Sequence, residues 1–345
     1  MPHPFWTRTA IAAVCLAFAP TAFAPTAHAS NVPDYRVIDH VAGPDGKWDY
    51  ANVDPVRGTL YVARGNAVMA MDLASHKVTA ALAPAKGSHQ VLPIDGGKTL
   101  VQTDGNSGLT RFIDAATGRI IAQVPSGQKP DAAFYDAASG KLAVMSPGND
   151  TITTIDPASH KVVGTMKLAG GLEFAVTNGK GGAFVNLEDA SKLAEVDLAR
   201  GAVLRKIDLP GCEGPTGLAR FAKGTRLISA CANGVALVVD AHSGKTIATL
   251  RIGKNPDAVL LDEKRGLAFV PCGGSGTLMA LSIKDPDHVH VAQVIPTQIS
   301  ARTGAIDPRD GRIYLPAATL TKPEPSAERG KPLPGTFTIL VVAPR

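Results

Sequence analysis

Aromatic residues make up only 5% of this 345-residue chain, and neither sign of charge gathers into a block along it. Nucleic-acid binding through a groove wants a basic stripe interleaved with stacking rings. A formal charge of +5 scattered among acids offers neither, so a nucleic-acid partner is not expected. Beyond the first thirty positions no apolar run approaches the roughly 20 residues that a membrane-spanning helix needs. Cysteine is scarce, at four residues. No Cys-x-x-Cys or Cys-x-x-Cys-His occurs, which removes the sequence basis for a cysteine-rich zinc site or an attached haem. A Gly-x-Ser-x-Gly elbow and a phosphate loop are also missing.

What is present begins with a leader. Arg8 precedes an apolar stretch from Ala10 to Ala24 that Pro20 interrupts, and Ala27-His28-Ala29 supplies a small-x-small ending. A basic start, a short apolar core and that ending read as a secretory signal over residues 1–29, cleaved rather than kept as an anchor. The mature chain, residues 30–345, is then expected to be a single periplasmic or secreted domain with no membrane span.

Glycine and proline are abundant, at 35 and 26, and turn signals recur roughly every 8–12 residues, the pattern of a large all-β array. The repeat is explicit. Asp72, Asp114, Asp156, Asp197 and Asp240 each close an apolar strand and open a polar turn, at spacings of 42, 42, 41 and 43 residues. A fixed period in this range marks a propeller or a solenoid. Each copy parses into four short strands, as in WD40-like repeats, and such sheets bury little until they are packed face to face around an axis. Seven copies begin near residues 49, 89, 131, 173, 216, 257 and 302. The last holds three strands of its own, and Tyr35 to His40 is placed to supply the fourth. The fold expected is therefore all-β: a seven-bladed β-propeller of four-stranded antiparallel blades, closed by its N-terminal strand.

Gly46-Lys47-Trp48-Asp49-Tyr50 with Leu60-Tyr61-Val62-Ala63-Arg64, then Lys129-Pro130-Asp131-Ala132, Val185-Asn186-Leu187-Glu188-Asp189, Pro215-Thr216-Gly217-Leu218-Ala219, and Ala301-Arg302-Thr303 with Arg312-Ile313-Tyr314-Leu315-Pro316, occur in this order. On these segments the chain resembles the bacterial YncE-like branch of the YVTN β-propeller family over residues 35–343. The resemblance implies a secreted or periplasmic propeller and brings no shared catalytic motif. Gly87-Ser88-His89-Gln90, and the long insertion before the last strand, depart from the family pattern.

Loops leading into the inner strands share one face of a propeller, so the first polar residue of each copy should meet the others at the axis. Those residues are Asp49, His89, Asp131, Glu173, Thr216, Asp257 and Arg302. Carboxylates brought this close raise one another's pKa. Arg302 compensates one of them, and the remainder invite a cation, water or a basic partner; a hard cation such as Ca²⁺ accepts such oxygens. Alternatively, each acid caps the turn before its own strand. Trp48 and Tyr50 flank Asp49 as an apolar wall for a ligand, or Trp48 fills the space between two blades. His76, His160 and His242 fall in solvated turns on the opposite face, and His288 and His290 are read as neighbours on an outer strand.

Cys15 leaves with the leader. Pairing the fifth copy around Lys223-Gly224 sets Thr216 opposite Cys231 and brings a Cys212–Cys231 disulfide within reach in an oxidising compartment; three reduced thiols are the other reading. Cys272 is left free beside Asp257, where a raised pKa argues against a nucleophile. The stretch from Thr321 to Gly335 is the one long irregular insertion and should hang over the axial face beside Arg302.

These residues favour a non-catalytic binding or interaction protein, with a small polar or cationic ligand or a partner protein at the axial face. The alternative is a metal-assisted, lactonase-like hydrolase in which the axial carboxylates and His89 hold a divalent cation. An electron-transfer or cofactor-carrying propeller is a third reading, and a divalent cation is the one cofactor the sequence suggests.

Overall fold

The computed structural model describes residues 1–3, 33–324 and 329–345, so the expected signal, residues 1–29, lies outside the described residues after its third position. From residue 33 onward the chain forms seven four-stranded antiparallel sheets. Among the described residues no helix is long and apolar enough to cross a membrane.

The third blade illustrates the unit: Ala133–Asp136, Lys141–Ser146, Thr151–Asp156 and Lys161–Lys167, paired in that order. Second strands such as Gly182–Leu187 and Leu267–Cys272 are buried along their whole length, because a neighbouring blade covers each face. Outermost strands are largely solvated; Met166 is the single buried residue of Lys161–Lys167. The core consequently lies between blades. Leu60, Val62, Met69 and Met71 of the first blade pack on Tyr314, Ile339 and Val341 of the last.

The repeated aspartates do local work. Oδ1 of Asp72 accepts from the Ser75 backbone N–H at 2.7 Å, Asp114 from Thr117 at 2.8 Å and Asp240 from Ser243 at 2.7 Å. One or two residues before Asp114, Asp156, Asp197 and Asp240, and before Ser282 of the sixth blade, the register shifts between third and fourth strands, at 112/113, 154/155, 195/196, 238/239 and 280/281. A bulge at a constant place adds a constant increment of twist, which keeps the blades superimposable as they turn about the axis.

The ring closes as expected. Tyr35–Ala42 pairs antiparallel with Thr338–Pro344, completing the sheet that Ala305–Ile306 and Ile313–Ala317 begin. Tyr35 is 1% exposed, and its ring meets Phe269 of the sixth blade at 4.7 Å. Gln293 clamps the start of this strand: its Oε1 accepts from the Tyr35 N–H at 2.9 Å, and its Nε2 donates to the Tyr35 carbonyl at 2.8 Å.

Cys212 and Cys231 form a disulfide with Cα atoms 5.5 Å apart, while Cys272 is free and buried. The partner of Cys231 across the sheet is Pro215 rather than Thr216, because a bulge falls between Pro215 and Leu218. Gly217 lies inside that bulge, and a Cβ there would come within 2.5 Å of the Ala258 backbone, so glycine lets the fifth blade approach the sixth. His288 also departs from expectation, since the outer strand starts at His290 and His288 sits in the preceding turn with Nδ1 2.8 Å from Asp285.

Two outcomes follow. Tyr35→Ala should cost about 3–4 kcal/mol in chemical unfolding, as for a large buried aromatic, whereas Arg36→Ala should change little. The double replacement Cys212→Ala/Cys231→Ala opens a loop with a sequence separation of 19 and should lose about 3 kcal/mol by the same measurement.

Candidate functional site

Six of the seven axial positions hold charged or ionisable side chains, and one backbone device places most of the ring. Lys129, Gly171, Gly214, Asn255 and Ser300 all have left-handed φ, between 50° and 87°. Each stands two residues ahead of a ring position, namely Asp131, Glu173, Thr216, Asp257 and Arg302. The kink turns the chain inward before the strand begins. The inner strands of the third, sixth and seventh blades start after the ring residue, at Ala133, Leu260 and Ala305, whereas those of the fourth and fifth start before it, at Leu172 and Pro215. Asp131, Asp257 and Arg302 therefore sit in the loops just before their strands rather than at strand starts.

The side chains converge as two linked groups. Nδ1 of His89 lies 2.7 Å from Oδ2 of Asp49 and 3.6 Å from Oδ1 of Asp131. Nε of Arg302 donates to Asp257 at 2.6 Å and its Nη2 to Oδ1 of Asp49 at 3.3 Å. Asp49 thus bridges the imidazole and the guanidinium. Across the axis, the Tyr50 hydroxyl of the first blade donates to Oε1 of Glu173 in the fourth at 2.9 Å, and its ring packs on Phe174 at 5.3 Å. The hydrogen bonds of Asp49 and Asp257 run across the ring to other blades, which for these two replaces the reading in which each acid caps its own turn.

Two ring predictions resolve differently. Thr216 does not face the others: its Oγ1 donates to the Pro256 carbonyl at 2.7 Å, joining the fifth blade to the sixth. Trp48 is the plug between the first and last blades, its ring 5.5 Å from Phe337.

Burial and charge set the protonation of this ring. For His89, burial works to lower the pKa, but the hydrogen bond to Asp49 and the charge of Asp131 outweigh it and carry it up to about 9. Burial pushes the Asp131 carboxyl up to about 7; Asp49 and Asp257 add to the rise, and His89 and Arg302 oppose it. Glu173 is held well above the usual carboxylate range by burial first and then by Asp131 and Asp257. Asp257 is raised by burial against the pull of Arg302. Cys272 is pushed up to about 12 by burial, not by Asp257 as expected from sequence. A thiol so protonated and covered is a poor nucleophile.

Ligand atoms of Asp49, His89 and Asp131 all lie within 4.8 Å of one another, a spacing a metal ion could bridge. Oδ1 of Asp131 is buried without a hydrogen-bond partner. The insertion reaches the same face, with Nη1 of Arg329 lying 3.8 Å from Oδ2 of Asp257. Sequence reasoning passed over Arg329, because a lone arginine in an irregular stretch carries no periodic signal.

The chain matches no family model and no curated protein sequence. Solved structures resemble it in fold. A chain of Kuenenia stuttgartiensis hydrazine synthase superposes with TM-score 0.68 at 14% identity, covering 79% of this chain and 94% of that one. The U3-55K structure gives 0.71 at 12%, covering 89% and 98%. A chain of the mitotic checkpoint complex gives 0.70 at 16%, covering 88% and 95%. At these identities the likeness establishes the β-propeller fold alone.

The ring should be sensitive to alkali. A histidine pKa raised from 6.5 to about 9 stabilises the fold fully below 6.5, and that contribution disappears as pH rises through 9. Asp131, raised from 3.8 to about 7, acts in the same direction, since its folded form prefers the proton. Thermal unfolding between pH 6 and 10 should show a decline that His89→Asn flattens. An imidazole titration by NMR that placed His89 at an ordinary value would contradict this.

Proposed function

We propose that the chain is an extracytoplasmic binding propeller of the YncE-like branch whose axial ring holds a small cationic ligand. The observation that carries the reading is the unspent acidity of the ring. Asp49, Asp131, Glu173 and Asp257 face two ring cations, and Asp131 keeps a buried oxygen without a donor. Rigid propellers commonly serve as binding or interaction scaffolds, and this one offers a polar ring on a preformed frame. The Cys212–Cys231 disulfide supports an oxidising compartment, in keeping with the leader read from residues 1–29.

Because Asp131 and Glu173 hold protons that a cation must displace, binding should strengthen as pH rises through about 7. Calorimetric titration with guanidinium, ethylenediammonium and Ca²⁺ at pH 6 and pH 8 tests this. At least one probe should bind, more tightly at the higher pH, and Asp131→Asn should raise its Kd at least tenfold. If no probe binds at either pH, the reading is wrong.

The compact spacing of Asp49, His89 and Asp131 favours a second reading, a metal-assisted hydrolase. These three residues would hold a divalent cation, which would supply a bound water of lowered pKa. His89 would have to release its proton to become a ligand. Elemental analysis of purified protein before and after chelation, together with hydrolysis of a simple lactone, separates this reading from the first.

A further inference from the structure

Beside the acidic ring lies a second site of opposite character. A cavity of about 710 Å³ opens between the sixth and seventh blades and the insertion. That volume falls within the range of small-molecule sites. Lys47, Arg302, Arg329 and Lys331 line it, and among the described residues none of its lining side chains is a carboxylate. Arg302 is committed to Asp257 and Asp49, and Lys331 pairs with exposed Glu324. Arg329, at 3.8 Å from Asp257, stands beyond hydrogen-bond reach of it, and among the described residues its donors have no hydrogen-bond partner, which leaves them for a ligand. The rest of the wall is apolar: Trp48, Leu320 and Pro332, with Ile299 at the rim, 64% exposed.

The strap over this cavity is held at its base. Leu320 bridges Pro332. The Thr321 N–H donates to the Lys331 carbonyl at 2.9 Å, and Leu333 donates to the Thr319 carbonyl at 2.8 Å. Gly330 is required there, because a Cβ would meet the Thr321 carbonyl oxygen at 1.8 Å. Beyond the neck, the Gly335 N–H donates to Asp45 at 2.7 Å, tying the strap to the loop that carries Lys47. On the opposite wall Ser300 adopts φ of 87°, held by its Oγ, which donates to the Ala318 carbonyl at 2.7 Å and accepts from the Ala318 N–H at 3.0 Å. Strained non-glycine backbone of this kind persists where its surroundings over-determine it and gathers at ligand clamps.

We infer that this cavity binds an organic carboxylate with an apolar body, its charged end at Arg329 and Lys47 and its body against Trp48, Ile299 and Leu320. The pairing is one of chemistry: guanidinium donors suit a carboxylate, and the apolar wall suits a ring or a short alkyl chain. The site goes beyond the cationic ligand of the axial ring, sharing only Arg302 with it.

The chain has two tryptophans, Trp6 and Trp48. In a Trp6→Phe background, Trp48 emission therefore reports on the cavity wall. Titration with 1-naphthoate should give a saturable change in that emission, whereas 1-naphthylmethylammonium, of matching shape and opposite charge, should give none. Arg329→Ala should raise the naphthoate Kd at least tenfold, and Ile299→Glu, which puts an anion at the rim, should abolish binding. Both positions are exposed, so loss of fold is not expected to confuse the result. Asp131→Asn should leave the naphthoate Kd within twofold while weakening the axial cation, which tells failure of one site from failure of the other. Equal binding of the two isosteres, an unchanged Kd in both cavity variants, or loss of naphthoate binding in Asp131→Asn would each overturn the inference.

Discussion

The pairing of Tyr35–Ala42 with Thr338–Pro344 is the constraint on which everything else rests. No blade can bury its own faces, so each depends on two neighbours, and the first and last blades become neighbours only when the ring shuts. That pairing joins the residues farthest apart in sequence. It also allows Arg302 of the last blade to reach Asp49 of the first, and Thr303 Oγ1 to donate to the Asp49 carbonyl at 2.9 Å. An open ring would scatter the axial charges.

With the ring shut, the electrostatics follow from crowding. Two charges about 4 Å apart near a protein surface interact by roughly 4 kcal/mol, so four carboxylates cannot all ionise freely around one axis. The molecule responds in two ways. It interposes Arg302 and the His89 imidazolium, and it holds the carboxyls of Asp131 and Glu173 above the usual carboxylate range, Asp131 at about 7. Tyr50 makes the second response visible, because its hydroxyl spans the axis to the one acid that no ring cation contacts. The cavity beneath the insertion has the complementary sign. Acid and base are segregated to neighbouring parts of one face, with the Arg302–Asp257 pair between them.

How much of this could be read from the chain depends on what is periodic. The spacing from Asp72 to Asp240 announces the repeat length and turn position, because five of the seven blades solve the same capping problem with the same residue. Closure was legible from a final copy short by one strand and an unassigned strand before the first. The axial set was legible as positions, but not as orientations. Thr216 has the ring's spacing, yet its hydroxyl is spent on the Pro256 carbonyl of the next blade. Asp131, Asp257 and Arg302 follow left-handed Lys129, Asn255 and Ser300 by two residues and sit in loops just ahead of their strands. No residue type forces a lysine, an asparagine or a serine into that conformation, so the signal was absent from composition. The insertion was visible as an interruption of the repeat, but its aperiodic sequence could not say that Arg329 would approach Asp257.

The closing strand also fixes where the chain leaves the ring. The Arg345 N–H donates to the Asp34 carbonyl at 2.9 Å, so the two limits of the propeller, residues 34 and 345, lie side by side at the outer pair of strands of one blade. Head and tail are thus almost spliced. A short linker between them would turn the polypeptide into a circle that could be reopened at any solvated far-side turn, giving circular permutants with an undisturbed axial face.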